Sequence, residues 1–138
     1  MKQVKLIALL LITGTLAVFA QKINVNPSDA VVKWTGNKIG GAHNGEIKVK
    51  SGTLELKSGD IVKGSVVIDM NSITCNDIEN ESSNKRLVGH LKSDDFFGVE
   101  KFPTATFTVT KAAKFSNGKA NVSGNITIKG KTEPVTFV

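Results

Sequence analysis

The sequence predicts an all-β fold, an antiparallel barrel with one short helical excursion, on three observations. From residue 21 onward apolar and polar residues alternate with a period of two, almost no segment keeps a helical period, and turn residues separate the alternating runs. A strand buries every second side chain, so each apolar face needs a second sheet, or closure of its own sheet, to cover it. Consecutive hairpins favour closure into an up-and-down barrel.

The elements follow in order. Val32 and Trp34 alternate with Lys33 and Thr35. Ile47 and Val49 alternate with Glu46, Lys48 and Lys50, and Leu54 and Leu56 with Thr53, Glu55 and Lys57. Ser51-Gly52 between these two runs is expected to be a tight hairpin. After Ser58-Gly59-Asp60, one face carries Val62, Gly64, Val66, Ile68 and Met70, and the other Ile61, Lys63, Ser65, Val67 and Asp69. Ala105, Phe107 and Val109 alternate with Thr104, Thr106, Thr108 and Thr110, a β-branched polar face suited to a pleated strand. Asn117-Gly118 turns the chain into Ala120, Val122, Gly124, Ile126 and Ile128, all inward, and Lys129-Gly130-Lys131 turns it again into Val135 and Phe137. Small inward residues, Gly64, Ala105 and Gly124, leave space or permit strong curvature.

The exception is residues 76–101, where alternation stops. Ser83 is the expected cap of a short helix that sets Leu87, Val88 and Leu91 at helical spacing, with Gly89 weakening it. Phe96-Phe97 follows, and two adjacent aromatics in a loop are expected to pack, with the leucines, over one end of the sheet.

A chain of 138 residues with 40% apolar and 22% charged side chains has room for one core, which excludes a multidomain enzyme. Its single cysteine, Cys75, cannot form an internal disulfide framework and reads as a small buried apolar residue. Residues 1–20 read as a cleaved export signal: Lys2 and Lys5 precede an apolar stretch, and Val18 and Ala20 occupy the places that set a secretory cleavage site. That stretch is shorter than the ~20 residues of a membrane-spanning helix and contains Thr13, Gly14 and Thr15. The expected location is therefore periplasmic or secreted.

The run from Leu87 to Phe107 carries His90-Leu91, then Asp94-Asp95-Phe96-Phe97, then Phe102-Pro103-Thr104. It resembles the hallmark of the YceI-like family. Ser72-Ile73-Thr74 matches the family's serine and threonine positions ahead of that loop, and Gly124-Asn125-Ile126-Thr127-Ile128 through Pro134-Val135 resembles its second signature. Trp34 and the turn from Gly40 to Gly45 extend the resemblance over the exported part, residues 21–138. It implies a lipocalin-like barrel holding a polyisoprenoid or similar long amphipathic lipid in an apolar lumen, with no catalytic group and no cofactor. Family members continue past the last strand, whereas this sequence stops inside it at Val138. The chain thus reads as a C-terminally truncated member with an incomplete barrel.

Strand parity offers Trp34, Ile47, Val49, Leu54, Leu56, Val66, Ile68, Phe107, Val109, Val122 and Ile126 as lumen candidates. Leu87, Leu91, Phe96 and Phe97 are the candidates for covering one end. His90 either hydrogen-bonds within its loop or meets a lipid head group. Neither His43 nor His90 has Cys, Asp or Glu at ligand spacing, so no metal site is expected. Asp77, Glu79 and Glu81 lack the glycine and terminal glutamate of a calcium loop, and Asp94-Asp95 reads as a turn rather than an acid-base pair. Outward lysines, among them Lys48, Lys63, Lys119 and Lys131, serve solubility, or offer a diffuse positive field to a membrane surface. Basic and aromatic residues are not interleaved on one platform, which argues against nucleic acid. The alternative to lipid binding is a structural or stress-response envelope protein whose barrel is filled by its own side chains.

Overall fold

The computed structural model describes residues 18–138, so most of the expected export signal lies outside the described residues. Seven strands run β1 (Gln21–Asn24), β2 (Val31–Lys38), β3 (Gly41–Lys57), β4 (Asp60–Asp69), β5 (Thr104–Val109), β6 (Val122–Ile128) and β7 (Lys131–Phe137), with one helix, α1 (Glu81–Lys92), between β4 and β5. All pairings are antiparallel, and the sheet runs β1-β3-β4-β5-β6-β7 with β2 also on β3. Among the described residues β2 pairs only with β3 and β7 only with β6, so the barrel is open between them.

Three hairpins turn where the chain has two successive left-handed residues: Ser58-Gly59 (φ 53° and 84°), Asn117-Gly118 (52° and 74°) and Lys129-Gly130 (49° and 74°). That backbone matches the right-handed twist of the flanking strands, and a glycine at the second position adopts it without steric cost. Ser51-Gly52 does not turn, contrary to the sequence expectation. β3 runs through it as one strand of 17 residues, with a register shift between Val49 and Ser51. Gly52 serves close approach instead: a Cβ there would lie 3.0 Å from the Ser65 carbonyl oxygen and 3.2 Å from the Val25 and Val66 methyls.

The length of β3 lets it serve two sets of partners. Its first half pairs with β2, and its second half lies between β1 and β4. A second register shift sets Leu56 opposite Ile61 where Glu55 faces Lys63, leaving Val62 without a partner. The bulge reverses local parity, so Ile61 is buried rather than outward as the alternation had it. Ile61 forms a small cluster with Ala113 and Ala120.

The larger core lies under α1. Ile47, Ile68, Met70, Ile73 and Ala105 from the sheet side meet Leu91 and Val99, with Leu87, Val88 and Phe97 packed against them. Burial of Leu91 alone contributes about 1.5–3 kcal/mol. The helix starts at Glu81 and is capped by the residue before it: the Asn80 side chain accepts from the Ser83 N–H at 3.0 Å, so Asn80 is the cap and the expected cap, Ser83, is the capped residue. Asn84 fastens the helix to the preceding segment, donating to the Cys75 and Ile78 carbonyls.

That segment is held on β3 by one close contact. A Cβ on Gly45 would sit 1.8 Å from the Thr74 carbonyl oxygen, which also accepts from the Trp34 indole N–H at 2.9 Å. Thr74 N–H donates to Glu46 and Asn76 N–H to Asn44, extending the attachment along β3. Gly45→Ala is expected to destabilise the fold by about 1–3 kcal/mol or more, as inserted methyls do in packed sites. Urea unfolding would check it, and a change within about 0.5 kcal/mol, the range of a neutral surface substitution, would contradict the contact.

Candidate functional site

The inner face of the curved sheet borders a cavity of about 620 Å³. Of the lumen candidates, Val49, Leu54, Val66, Ile68, Phe107, Val109 and Val122 line it. Trp34, Ile47 and Ile126 do not; they belong to the core beneath α1. Leu56 packs on the Ile61 cluster. Parity put all eleven on one side of the sheet, but it does not separate open lumen from filled core.

The wall also includes residues that were not among the lumen candidates. Val25, Ala30, Val31 and Val32 come from the β1 to β2 connection and the start of β2, and Thr136, Phe137 and Val138 from the end of β7. The two unpaired margins of the sheet therefore face one cavity. Val31 is 49% exposed, which puts apolar surface at its rim. Lys33 is the single charged side chain among the lining residues.

The inward glycines shape this wall. A Cβ on Gly64 would lie 2.4 Å from Leu54 Cδ2, and one on Gly124 would lie 2.5 Å from Phe107 Cζ. Leu54 and Phe107 thus lie flat across neighbouring strands instead of standing up into the lumen. Phe107 reaches over Gly124 to Phe137, edge to face with ring centroids 4.9 Å apart. The glycines make room for large side chains in the wall and leave the middle open.

A second, more polar cleft of about 460 Å³ shares Ala30, Val31 and Val49 with the first and continues to Ser28, Glu46, Lys48, Ser72 and Thr74. An apolar chamber with one cationic margin and an adjoining polar cleft suits a molecule that is apolar at one end and polar at the other.

The end-cover candidates divide. Leu91 is buried, and Leu87 and Phe97 pack on the same core. Phe96 is 50% exposed and stands edge to face on His90 and Phe97. His90 is also exposed, 4.0 Å from Asp95, and lines neither cavity. Asp94 pairs with Lys101 at 2.6 Å, and this bond holds the Asp94 carboxyl below its ordinary value and raises the Lys101 ammonium.

His43 is not without ligand-type neighbours, contrary to the reading from spacing. Its Nδ1 lies 2.8 Å from Asp77 Oδ2, and the Cys75 thiol donates to Asp77 Oδ1 at 3.3 Å. Cys75 is buried, as expected. The Asn44 N–H at 2.8 Å, then His43 and Cys75, hold the Asp77 carboxyl far below the ordinary carboxylate range. These partners are 34 residues apart in sequence for His43 and Asp77, so no local motif announces them.

The YceI-like domain matches residues 23–138. A UPF0312 protein of Vibrio vulnificus is 35% identical over 95 residues, covering 67% of this chain and 47% of that protein. A UPF0312 protein of Yersinia enterocolitica is 40% identical over 85 residues, 62% of this chain and 40% of its own. Protein YceI of Salmonella arizonae is 33% identical over 135 residues, 96% of this chain and 66% of that one. This chain thus spans about half the length of the first of these relatives. The crystal structure of a Campylobacter jejuni YceI protein aligns over 99% of this chain and 57% of that one, at 20% identity and a TM-score of 0.44.

The depressed Asp77 value sets a pH signature. A carboxyl depressed on folding contributes stability above its unfolded value, near pH ~4, and loses it as the pH falls toward the folded value. In urea unfolding, wild type should exceed Asp77→Asn in stability above about pH 5, with the margin shrinking below about pH 4. A margin that widens as the pH falls below about 4 would contradict the contact.

Proposed function

Because this chain belongs to the YceI-like family, whose domain matches residues 23–138, we propose that it is an exported binding protein. It takes the apolar tail of a polyisoprenoid or similar long amphipathic lipid into the cavity between β2, β7 and the inner face of the sheet. The observation that carries this reading is the wall itself: about 620 Å³ bordered mostly by aliphatic and aromatic side chains, with Lys33 as the single charged side chain. Each methylene moved from water into such a wall contributes about 0.8 kcal/mol, so a long tail supplies affinity without catalytic groups. The head group goes to the rim or to the adjoining cleft, where Lys48 and Glu46 offer a donor and an acceptor and Ser28, Ser72 and Thr74 offer hydroxyls. Lys33 favours an anionic or hydrogen-bond-accepting head. His90 lines neither space, so its head-group role has less support than these residues have.

Export is part of the same reading, since the basic and apolar pattern of residues 1–20 would deliver the domain across the inner membrane.

Native mass spectrometry of the protein recovered from the periplasm of an expressing bacterium tests this. The expected result is a single lipid adduct of isoprenoid mass. Val66→Trp, which fills the cavity without adding charge, should weaken the adduct more than about tenfold, since displacing two methylenes already costs about 1.6 kcal/mol. A well-folded protein with no adduct, or an adduct unaffected by Val66→Trp, would refute binding in this cavity and favour a barrel filled by its own side chains.

A further inference from the structure

His43, Cys75 and Asp77 have no part in the lipid cavity, yet they bring an imidazole, a thiol and a carboxylate together from two separate segments. We propose that these three side chains form a binding site for a divalent transition-metal ion of the zinc class.

Their ligand atoms all lie within 4.8 Å of one another. Bonds of about 2.0–2.3 Å to one ion place neighbouring donors about 3–4 Å apart. The contacts already formed, 2.8 Å from imidazole to carboxylate and 3.3 Å from thiol to carboxylate, are close to that spacing. Small side-chain rotations therefore suffice.

The backbone holds the donors in place before any ion arrives. Asn76 N–H donates to the Asn44 carbonyl at 2.8 Å and Thr74 N–H to the Glu46 carbonyl at 2.9 Å, which fastens the Cys75 segment beside His43 on β3. The Asn44 N–H, 2.8 Å from Asp77 Oδ1, fixes one carboxylate oxygen and leaves the other toward the imidazole. A strand and a hydrogen-bonded segment are stiffer supports than a free loop, and such preorganisation lowers the ordering cost of binding.

Access and chemistry agree. The thiol is buried, whereas the His43 and Asp77 side chains keep 23% and 27% of their surface exposed. An ion can therefore enter from solvent, and a water or a ligand atom can complete a tetrahedral set. A sulfur, nitrogen and oxygen donor set suits zinc-class ions, whereas calcium and magnesium take oxygen donors. Binding releases the Cys75 thiol proton to solvent and shifts the neutral imidazole proton to Nε2, so that Nδ1 presents its lone pair to the ion.

Titration of the full exported chain with Co²⁺, followed by Zn²⁺, tests the site. The expected result is a near-ultraviolet sulfur-to-cobalt charge-transfer band that saturates at one ion per chain and disappears when Zn²⁺ displaces it. Cys75→Ser, whose hydroxyl can still donate to Asp77, should abolish the band, and His43→Gln should weaken binding at least about tenfold. X-ray absorption of the zinc-loaded wild type reads the site without any variant. It should show one sulfur at about 2.3 Å among nitrogen and oxygen donors at about 2.0–2.2 Å, and Cys75 is the chain's one cysteine. A shell of nitrogen and oxygen alone, or no saturable cobalt band, would overturn the proposal.

Discussion

The Thr74 carbonyl rests against Gly45, 1.8 Å from where a Cβ would stand, and accepts the Trp34 indole N–H. Any side chain at residue 45 would push the segment after β4 away from β3. Several features depend on that seat. It buries Ile73 and Cys75, it sets Asn84 to bond the Cys75 and Ile78 carbonyls, and it thereby fixes where α1 starts. From there Leu87 and Leu91 reach the core on one side of the sheet. The same seat brings Asp77 and Cys75 beside His43. Removing a single methyl from the sequence thus governs both the covered end of the sheet and the cluster beside it.

The sheet's interior is divided between two uses. Beneath α1 it is filled by Ile47, Ile68, Met70 and Ala105 against the helix, and this part supplies the packing that holds the strands together. Beyond Val66 and Phe107 it opens into the cavity, where Leu54 and Phe107 lie across Gly64 and Gly124 rather than filling the middle. A covered core at one end and an open apolar chamber at the other allow a binding site without loss of the fold. The wall needs only to stay dry and wide, which valines and flattened aromatics achieve.

Much of this was legible in the sequence, and what was not has identifiable causes. Period-two alternation located β2 and β4 to β7 and both halves of β3 but not the short β1, and Asn117-Gly118 and Lys129-Gly130 turn as their residue types require. Ser51-Gly52 has similar composition but stays extended, because Gly52 is used for contact with Val25 and Val66; a glycine pair does not tell a turn from a close approach. The bulge at Val62 moved Ile61 inward, and one unpaired residue is invisible to a parity count. Seven of the eleven lumen candidates line the cavity, while Trp34, Ile47 and Ile126 lie under a helix whose position depends on Gly45. The part of the wall from Val25, Ala30 and Val31 and the meeting of His43 with Cys75 and Asp77 are products of tertiary structure with no local signal.

Whether the chamber lined by Val66, Phe107 and Val122 takes up the apolar tail of a lipid is open to direct measurement. Isotope-filtered nuclear Overhauser spectra of labelled protein with unlabelled co-purified lipid address it most directly. Cross-peaks are expected from the lipid's chain protons to the Val66 and Val122 methyls and the Phe107 ring, and none to Ile47 or Leu91 in the filled core. Lipid contacts confined to outward residues such as Lys63 and Lys119, with the chamber's side chains silent, would contradict such uptake.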